Sequence, residues 1–391
     1  MNNYFLLPIN NNNINCNDIQ LKYNVKTNAQ ISLTLKDYLN NIKLEINNNF
    51  EKWDFVKKYT NPYEFIHTIV PNSKHSVSKY NPLSRSFYKI IEIVNILNIF
   101  DDFKNSNHIN TFHLAEGPGG FIEATNYLRN NKSDKYYGMT LIEPNNNNVP
   151  GWNKSYSYLE ENPNIIIEKG ITGTGDLLSV DNLKYCSSKY ANSMNIITAD
   201  GGFDFSIDFN QQELLATNLL FAQVSFALSM QKVNGHFIIK IFDIFTKTTI
   251  DIIYLLSTLY KEVYIIKPNT SRIANSEKYI VCKYFKESQP KLINKIISEY
   301  HILQEYPYIS SILNFNLDYY YINKIEEINA IFGQQQIENI STTINLINSK
   351  NKIERCETLK KNNIQKCIHW CETNKIPYNK TIDTKNIFLN K

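Results

Sequence analysis

The middle of this chain alternates between short apolar runs and stretches whose apolar residues recur at helical spacing. The runs predict strands at 111–115, 136–142, 165–169, 195–199, 235–241, 262–267 and 278–285. The longest stretches between them predict helices near 209–232 and 247–260. Such alternation predicts an α/β sheet with helices on both faces. The runs Glu262 to Lys267 and Lys278 to Phe285 are joined by a loop too short for a crossover helix, so they are expected to be antiparallel neighbours.

Upstream, Pro62, Pro71 and Pro82 punctuate the approach to an amphipathic helix that carries Phe87, Ile90, Ile91, Val94 and Leu97 on one face, with Ser84 or Ser86 as its N-cap. Downstream of residue 290 the chain is rich in Ile, Asn, Lys and Glu at helical spacing. The expected organisation is therefore an N-terminal extension over 1–75, an α/β domain over 76–290 and a helical C-terminal extension over 291–391. Asparagine clusters at 10–13, 47–49 and 145–148 are compositional bias and not repeated units.

Composition narrows the picture only in places. A chain of 391 residues that is 42% hydrophobic can bury a sizeable core, which argues against disorder. Its 41 basic and 37 acidic side chains leave a formal charge of +4, so any nucleic-acid contact has to come from a local patch. The 26 tyrosines and 21 phenylalanines could stack on bases, although filling cores is their commoner use. Six scattered cysteines suit a reducing compartment. Cys356, Cys367, His369 and Cys371 offer four metal donors, yet Cys-x3-Cys within a helical pattern departs from the usual zinc spacings, and no metal is expected. The apolar run Tyr4 to Ile9 lacks a charged leader, and no segment approaches the roughly 20 apolar residues of a membrane span.

Candidate chemistry begins at Glu116-Gly117-Pro118-Gly119-Gly120-Phe121, a glycine-rich turn between a predicted strand and a predicted helix. Such a turn can cradle a nucleotide-like ligand or simply reverse the chain tightly. Asp200 ends the run 195–199, where an open α/β sheet would deliver it to a ligand crevice; an Asx-type turn is the alternative. Lys240 lies near the end of an apolar run, as a solvated edge residue or a functional amine. The polar segment Lys267 to Tyr279 carries dense donors and acceptors that would suit a phosphate and ribose backbone, or an ordinary hydrated hairpin.

Several of these segments, in order, resemble one family. They are Ala115 to Phe121, Gly138-Met139-Thr140-Leu141, Ala199-Asp200-Gly201-Gly202-Phe203, Gly235 to Asp243, and Lys267-Pro268 through Ser271-Arg272 and Ala274-Asn275-Ser276-Glu277. Together they resemble the FtsJ-like S-adenosylmethionine-dependent RNA ribose 2′-O-methyltransferases. The likeness is strongest to the eukaryotic and large-DNA-virus mRNA cap-1 branch, whose upstream segment is similar to Asn61 to Ile66 and Ser84 to Lys89. The resemblance covers about residues 61 to 286 and implies a Rossmann-like class I methyltransferase sheet. It implies a catalytic tetrad of Lys89, Asp200, Lys240 and Glu277. It also implies that Glu116 to Phe121 surround the methionine moiety and ribose of S-adenosylmethionine, with Asp176 of Gly173-Thr174-Gly175-Asp176 near the adenine.

On that reading Lys240 is the general base, oriented by Lys89, Asp200 and Glu277. The expected RNA contacts are Arg85, Ser271, Arg272, Asn275 and Ser276, with Lys74, Lys79, Lys89, Lys267 and Lys278 as further phosphate partners. The expected substrate is capped mRNA, methylated on the ribose of the first transcribed nucleotide, and the expected partners are capping or transcription machinery. Alternatives are methylation of ribosomal or transfer RNA, or a noncatalytic RNA-binding subunit. Nucleus, cytoplasm, a viral factory or a virion all suit the cysteine usage, and the Asn and Ile bias points to an AT-rich coding genome.

Overall fold

Two short strands, β1 (Tyr4–Leu6) and β2 (Ile19–Lys22), precede helices α1 (Leu33–Asn48), α2 (Phe50–Thr60) and α3 (Ser86–Ile96). Strands then alternate with helices: β3 (Asn110–Leu114), α4 (Gly120–Arg129), β4 (Lys135–Met139), α5 (Tyr156–Glu161), β5 (Ile165–Ile167), α6 (Val180–Lys189) and β6 (Met194–Ala199). Next come α7 (Gln212–Leu215), α8 (Thr217–Met230), β7 (Gln231–Ile241), α9 (Lys247–Leu259), β8 (Tyr260–Ile266) and β9 (Lys278–Phe285). The chain continues through α10 (Pro290–Glu299), α11 (Ile302–Glu305), β10 (Ser311–Leu313), α12 (Tyr319–Ile347) and α13 (Lys352–Thr373). The structure is a computed structural model and describes residues 3–23, 29–143, 149, 151–202 and 209–379. Phe203 and the asparagine cluster at 145–148 lie outside the described residues.

Eight strands form one sheet in the order β1-β8-β9-β7-β6-β3-β4-β5. Strands β3 to β7 run parallel, and β9 lies antiparallel between β7 and β8. The antiparallel closing pair matches the short loop between its two runs. Alternate residues serve opposite faces, as a sheet covered on both sides requires. Ile197, Phe237, Ile239 and Ile280 enter one core with α6, α8 and α9, whereas Ile196, Ile238, Tyr279 and Val281 enter the other with α3 and α4.

Two local expectations are corrected. The helix expected near 209–232 is a 3-10 turn, α7 and α8, and it stops at Met230, where Gln231 turns extended and its side-chain amide donates to the Met194 carbonyl at 2.9 Å. Neither Ser84 nor Ser86 caps α3. The cap position falls to Arg85, and the Ser84 hydroxyl accepts the Ser86 amide at 3.3 Å just outside it.

The described segments before and after the central α/β region pack into the same cores as the sheet. β1 adds to the sheet beside β8. Helix α12, 29 residues and therefore about 43 Å long, places Tyr321, Ile325, Ile328 and Phe332 in one core. Its second half places Ile340, Leu346 and Ile347 in the other. It passes the sheet at its β1 edge, where the Phe5 and Phe332 rings meet edge to face at 5.4 Å. No helix among the described residues is long and apolar enough to cross a membrane.

Candidate active site

The strand order reverses at β3, which pairs with β4 on one side and β6 on the other, so a crevice opens at the carboxyl ends of these strands. The glycine turn lies there. Gly119 has φ +109°, a conformation that side chains resist, and its amide donates to the Glu116 carbonyl at 2.7 Å. The buried Glu116 carboxylate accepts the amides of Phe121 at 2.6 Å and Ile122 at 3.0 Å, meeting the unpaired donors at the start of α4. Burial nevertheless holds its carboxyl well above the usual range. A Cβ on Gly120 would fall 2.2 Å from both the Ser84 and the Ser86 hydroxyls, so the turn sits directly on the start of α3.

Asp176 lies in the loop between β5 and α6. Gly175 packs so closely that a Cβ would come 2.0 Å from the Thr140 carbonyl. The Asp176 carboxylate accepts the Leu178 amide at 2.8 Å, and the buried Asn182 amide donates to the Asp176 carbonyl at 2.9 Å. The loop is thereby fixed over the end of β4.

Beyond the turn, four charged side chains form two pairs. Lys89, on the buried face of α3, lies 2.6 Å from Glu277, just before β9. Lys240, near the end of β7, donates to the Asp200 carbonyl at 2.7 Å and lies 3.2 Å from its carboxylate. Burial, outweighing the two carboxylates, lowers the proton affinity of Lys89. Burial alone would raise Glu277, yet Lys89 and then Lys240 keep its carboxyl far below the ordinary range. The Lys89 pair is enclosed, whereas Asp200 and Lys240 are partly open.

Three side chains to which the sequence alone assigns no role hold this arrangement. The Tyr279 hydroxyl donates to the Asp200 carboxylate at 3.1 Å. Glu92, one turn after Lys89, accepts the Asn269 amide and side chain, both at 2.7 Å, and the Thr270 amide and hydroxyl at 3.0 and 2.9 Å. Burial raises its carboxyl even so. Glu64 takes both forks of Arg272, at 3.0 and 2.6 Å, and although burial opposes it, Arg272 holds its carboxyl at about 2. A glutamate on the apolar face of α3, at helical spacing from Lys89, was the available signal for Glu92.

The segment 267–277 is built differently from an open row of RNA donors. Ser271 donates to Glu277 at 2.9 Å, Ser276 to Gln212 at 2.8 Å, and the Asn275 side chain accepts from Lys267 at 3.0 Å. Lys267 also donates to the Asn275 and Glu277 carbonyls, and burial, then Lys278, pulls it down to about 7. Lys278 donates to Phe242 and Ser276 carbonyls. Lys267 and Lys278 are therefore internal scaffolding and Lys89 is enclosed with Glu277, which corrects the expected use of all three as phosphate contacts: each side-chain nitrogen is buried among acceptors. The Arg85 guanidinium makes no hydrogen bond or ion pair among the described residues and is partly exposed, and Lys74 and Lys79 are exposed. Cys356, Cys367 and Cys371 are buried against α2 and the 61–66 segment while His369 faces out, and no group of three metal-ligating side chains occurs among the described residues.

An open sheet of this order, closed by an antiparallel strand, defines the Rossmann-like methyltransferase class. The chain belongs to the FtsJ-like methyltransferase family, whose model matches residues 82–285. It is similar to cap-specific mRNA (nucleoside-2′-O-)-methyltransferase 1 of Homo sapiens, 38% identical over 178 residues that cover 44% of this chain and 21% of that protein. Cap-specific mRNA (nucleoside-2′-O-)-methyltransferase 2 of Drosophila melanogaster is 29% identical over 196 residues, 47% of this chain and 28% of that protein. The match thus spans less than a third of either relative's length. A solved ribosomal RNA methyltransferase of Plasmodium falciparum aligns at 20% identity and a TM-score of 0.36, covering 52% of this chain and 97% of that one.

Proposed function

We propose that this protein methylates the ribose 2′-hydroxyl of the first transcribed nucleotide in capped mRNA. The observation that carries this reading is the convergence of Lys89 with Glu277 and Lys240 with Asp200 beside the glycine turn. The names of the similar cap-specific methyltransferases support the choice of RNA.

The crevice suits S-adenosylmethionine. The places of the missing Cβ atoms at Gly117, Gly119 and Gly120 are filled by Gly151, by Leu83, and by Ser84 and Ser86, so the protein itself packs tightly against the turn. The Asp200 and Asp176 carboxylates, after β6 and β5, offer acceptors on either side of it in the strand order. Glu116 to Phe121 would hold the methionine moiety and ribose, and Asp176 the adenine amine. When bound, the cofactor supplies an electrophilic methyl carbon on a sulfonium, whose leaving group is neutral S-adenosylhomocysteine.

The protein's own residues handle the hydroxyl and its proton. As a neutral amine, Lys240 keeps two N–H donors for the carbonyl and carboxylate of Asp200, which leaves its lone pair for the attacking 2′-hydroxyl. The proton moves from that oxygen to Lys240, and Asp200 and Glu277 stabilise the ammonium so formed. Lys89 keeps Glu277 ionised and in place. Arg85, whose guanidinium makes no hydrogen bond or ion pair among the described residues and whose charge helps to lower the Glu277 carboxyl, is the proposed phosphate contact, with Arg272, Ser271, Asn275 and Ser276 shaping the loop that lines the RNA. Such a substrate fits work in the nucleus or cytoplasm, alongside capping or transcription machinery.

The test is methyl transfer from labelled S-adenosylmethionine to matched cap-0 and uncapped RNAs, followed by nuclease mapping. Label on the first transcribed nucleotide's ribose, dependent on the cap, is the expected result. Label on a base or on the cap guanine would overturn the reading, and equal labelling of uncapped RNA would move it to ribosomal or transfer RNA.

A further inference from the structure

The C-terminal segment lies beyond the matched residues 82–285, yet it reaches the two loops on which the proposed chemistry depends. From the end of α10, the fully buried Tyr300 donates its hydroxyl to the Leu177 carbonyl at 2.6 Å, one residue after Asp176. Burial and then the nearby Asp176 charge raise its phenol well above the ordinary range, so it remains a donor at any working pH. Nearby, Gln304 of α11 donates more weakly, at 3.4 Å, to the Leu178 carbonyl.

Midway along α12, where the helix passes from one core to the other, the buried Gln336 donates to the Ala274 carbonyl at 2.9 Å. That carbonyl immediately precedes Asn275 and lies three residues before Glu277. Lys267 holds the next stretch of the same loop through the carbonyls of Asn275 and Glu277. The buried Leu177 carbonyl is left unsatisfied if it loses its donor, so the Tyr300 bond constrains its loop more than its net energy suggests, and the part-buried Gln336 bond joins those of Lys267 in fixing the Ala274 to Glu277 stretch.

We infer that Tyr300 and Gln336 are positioning residues: Tyr300 sets the Asp176 loop for cofactor affinity, and Gln336 sets the Glu277 loop for the transfer step. This rests on the methyltransferase reading above. It assigns the helical segment a part in the reaction itself, divided between two separable properties.

The experiment uses the full chain with Tyr300→Phe and Gln336→Met, each close in volume to the original. Calorimetry measures S-adenosylmethionine affinity, and single-turnover transfer to cap-0 RNA at saturating cofactor measures the rate. Tyr300→Phe is expected to weaken affinity about three- to tenfold and leave the saturated rate unchanged. Gln336→Met is expected to slow the saturated rate about three- to tenfold and leave affinity unchanged. Gln336→Leu gives a second variant if methionine unfolds the protein. Loss of both properties together in each variant, in step with melting temperature, would overturn the inference, as would no change in either. If the wild-type chain binds cofactor but methylates no RNA, the functional reading fails, while the affinity arm at Tyr300 still tests this one.

Discussion

The two sides of the crevice are built by different means. On the donor side the turn 116–121 is shaped by backbone: a positive φ at Gly119, a missing Cβ at Gly120, and α4 amides closed by Glu116. On the acceptor side the geometry comes from side chains that reach across the fold, Glu92 to residues 269–270, Glu64 to Arg272 and Tyr279 to Asp200. A backbone-built site is compact in sequence and hard to alter by one residue's chemistry. A side-chain-built site is dispersed, and each member can be removed singly.

The largest expected effect separates the two sides. Lys240→Ala should lower single-turnover transfer by about 10²- to 10⁴-fold, with S-adenosylmethionine affinity within a few-fold of wild type by calorimetry. Near-normal transfer would remove Lys240 from the proton path.

Next comes the clamp. Arg272→Met leaves the buried Glu64 carboxylate without its fork and should cost about 3–5 kcal/mol in denaturant unfolding at neutral pH. Because the Glu64 carboxyl is lowered from 4.5 to about 2 in the folded state, its stabilisation is complete above pH 4.5 and is lost as pH falls toward 2. The variant should therefore show a flatter stability profile across that window. An unchanged slope would mean that Arg272 is not what holds Glu64 ionised.

The smallest effect tests whether the sides are independent. Gly120→Ala forces a Cβ onto Ser84 and Ser86 at the head of the helix that carries Lys89, an overpacking cost of about 1–3 kcal/mol. Both cofactor affinity and transfer rate should fall together. A loss confined to affinity would show the turn and α3 to be uncoupled.

The same contrast explains what the sequence could disclose. The parallel strands were legible because both faces are buried, which makes each a continuous apolar run. Strands β1 and β10, three residues each, have no room for a period and pair with partners distant in the chain, β1 with β8 and β10 with β2. The glycine turn was legible as a local pattern. Lys89, Asp200, Lys240 and Glu277 were named through family resemblance, while the partners that orient them were not, since nothing local ties Glu64 to Arg272 across 208 positions. Ser271 and Lys267 looked like RNA contacts because exposure cannot be read from polarity alone. Their donors turn inward to Glu277 and Asn275.

The passage of α12 around the β1 edge bears on how this protein can be cut. A fragment trimmed to the matched residues 82–285 would lose β1 and leave β8 as an uncovered sheet margin, its amides and carbonyls ready to recruit a strand from a second molecule. It would also strip the apolar cover that α12 gives both faces. Self-association is the expected fate of such a fragment, which makes the outer segments guardians of solubility as well as of shape.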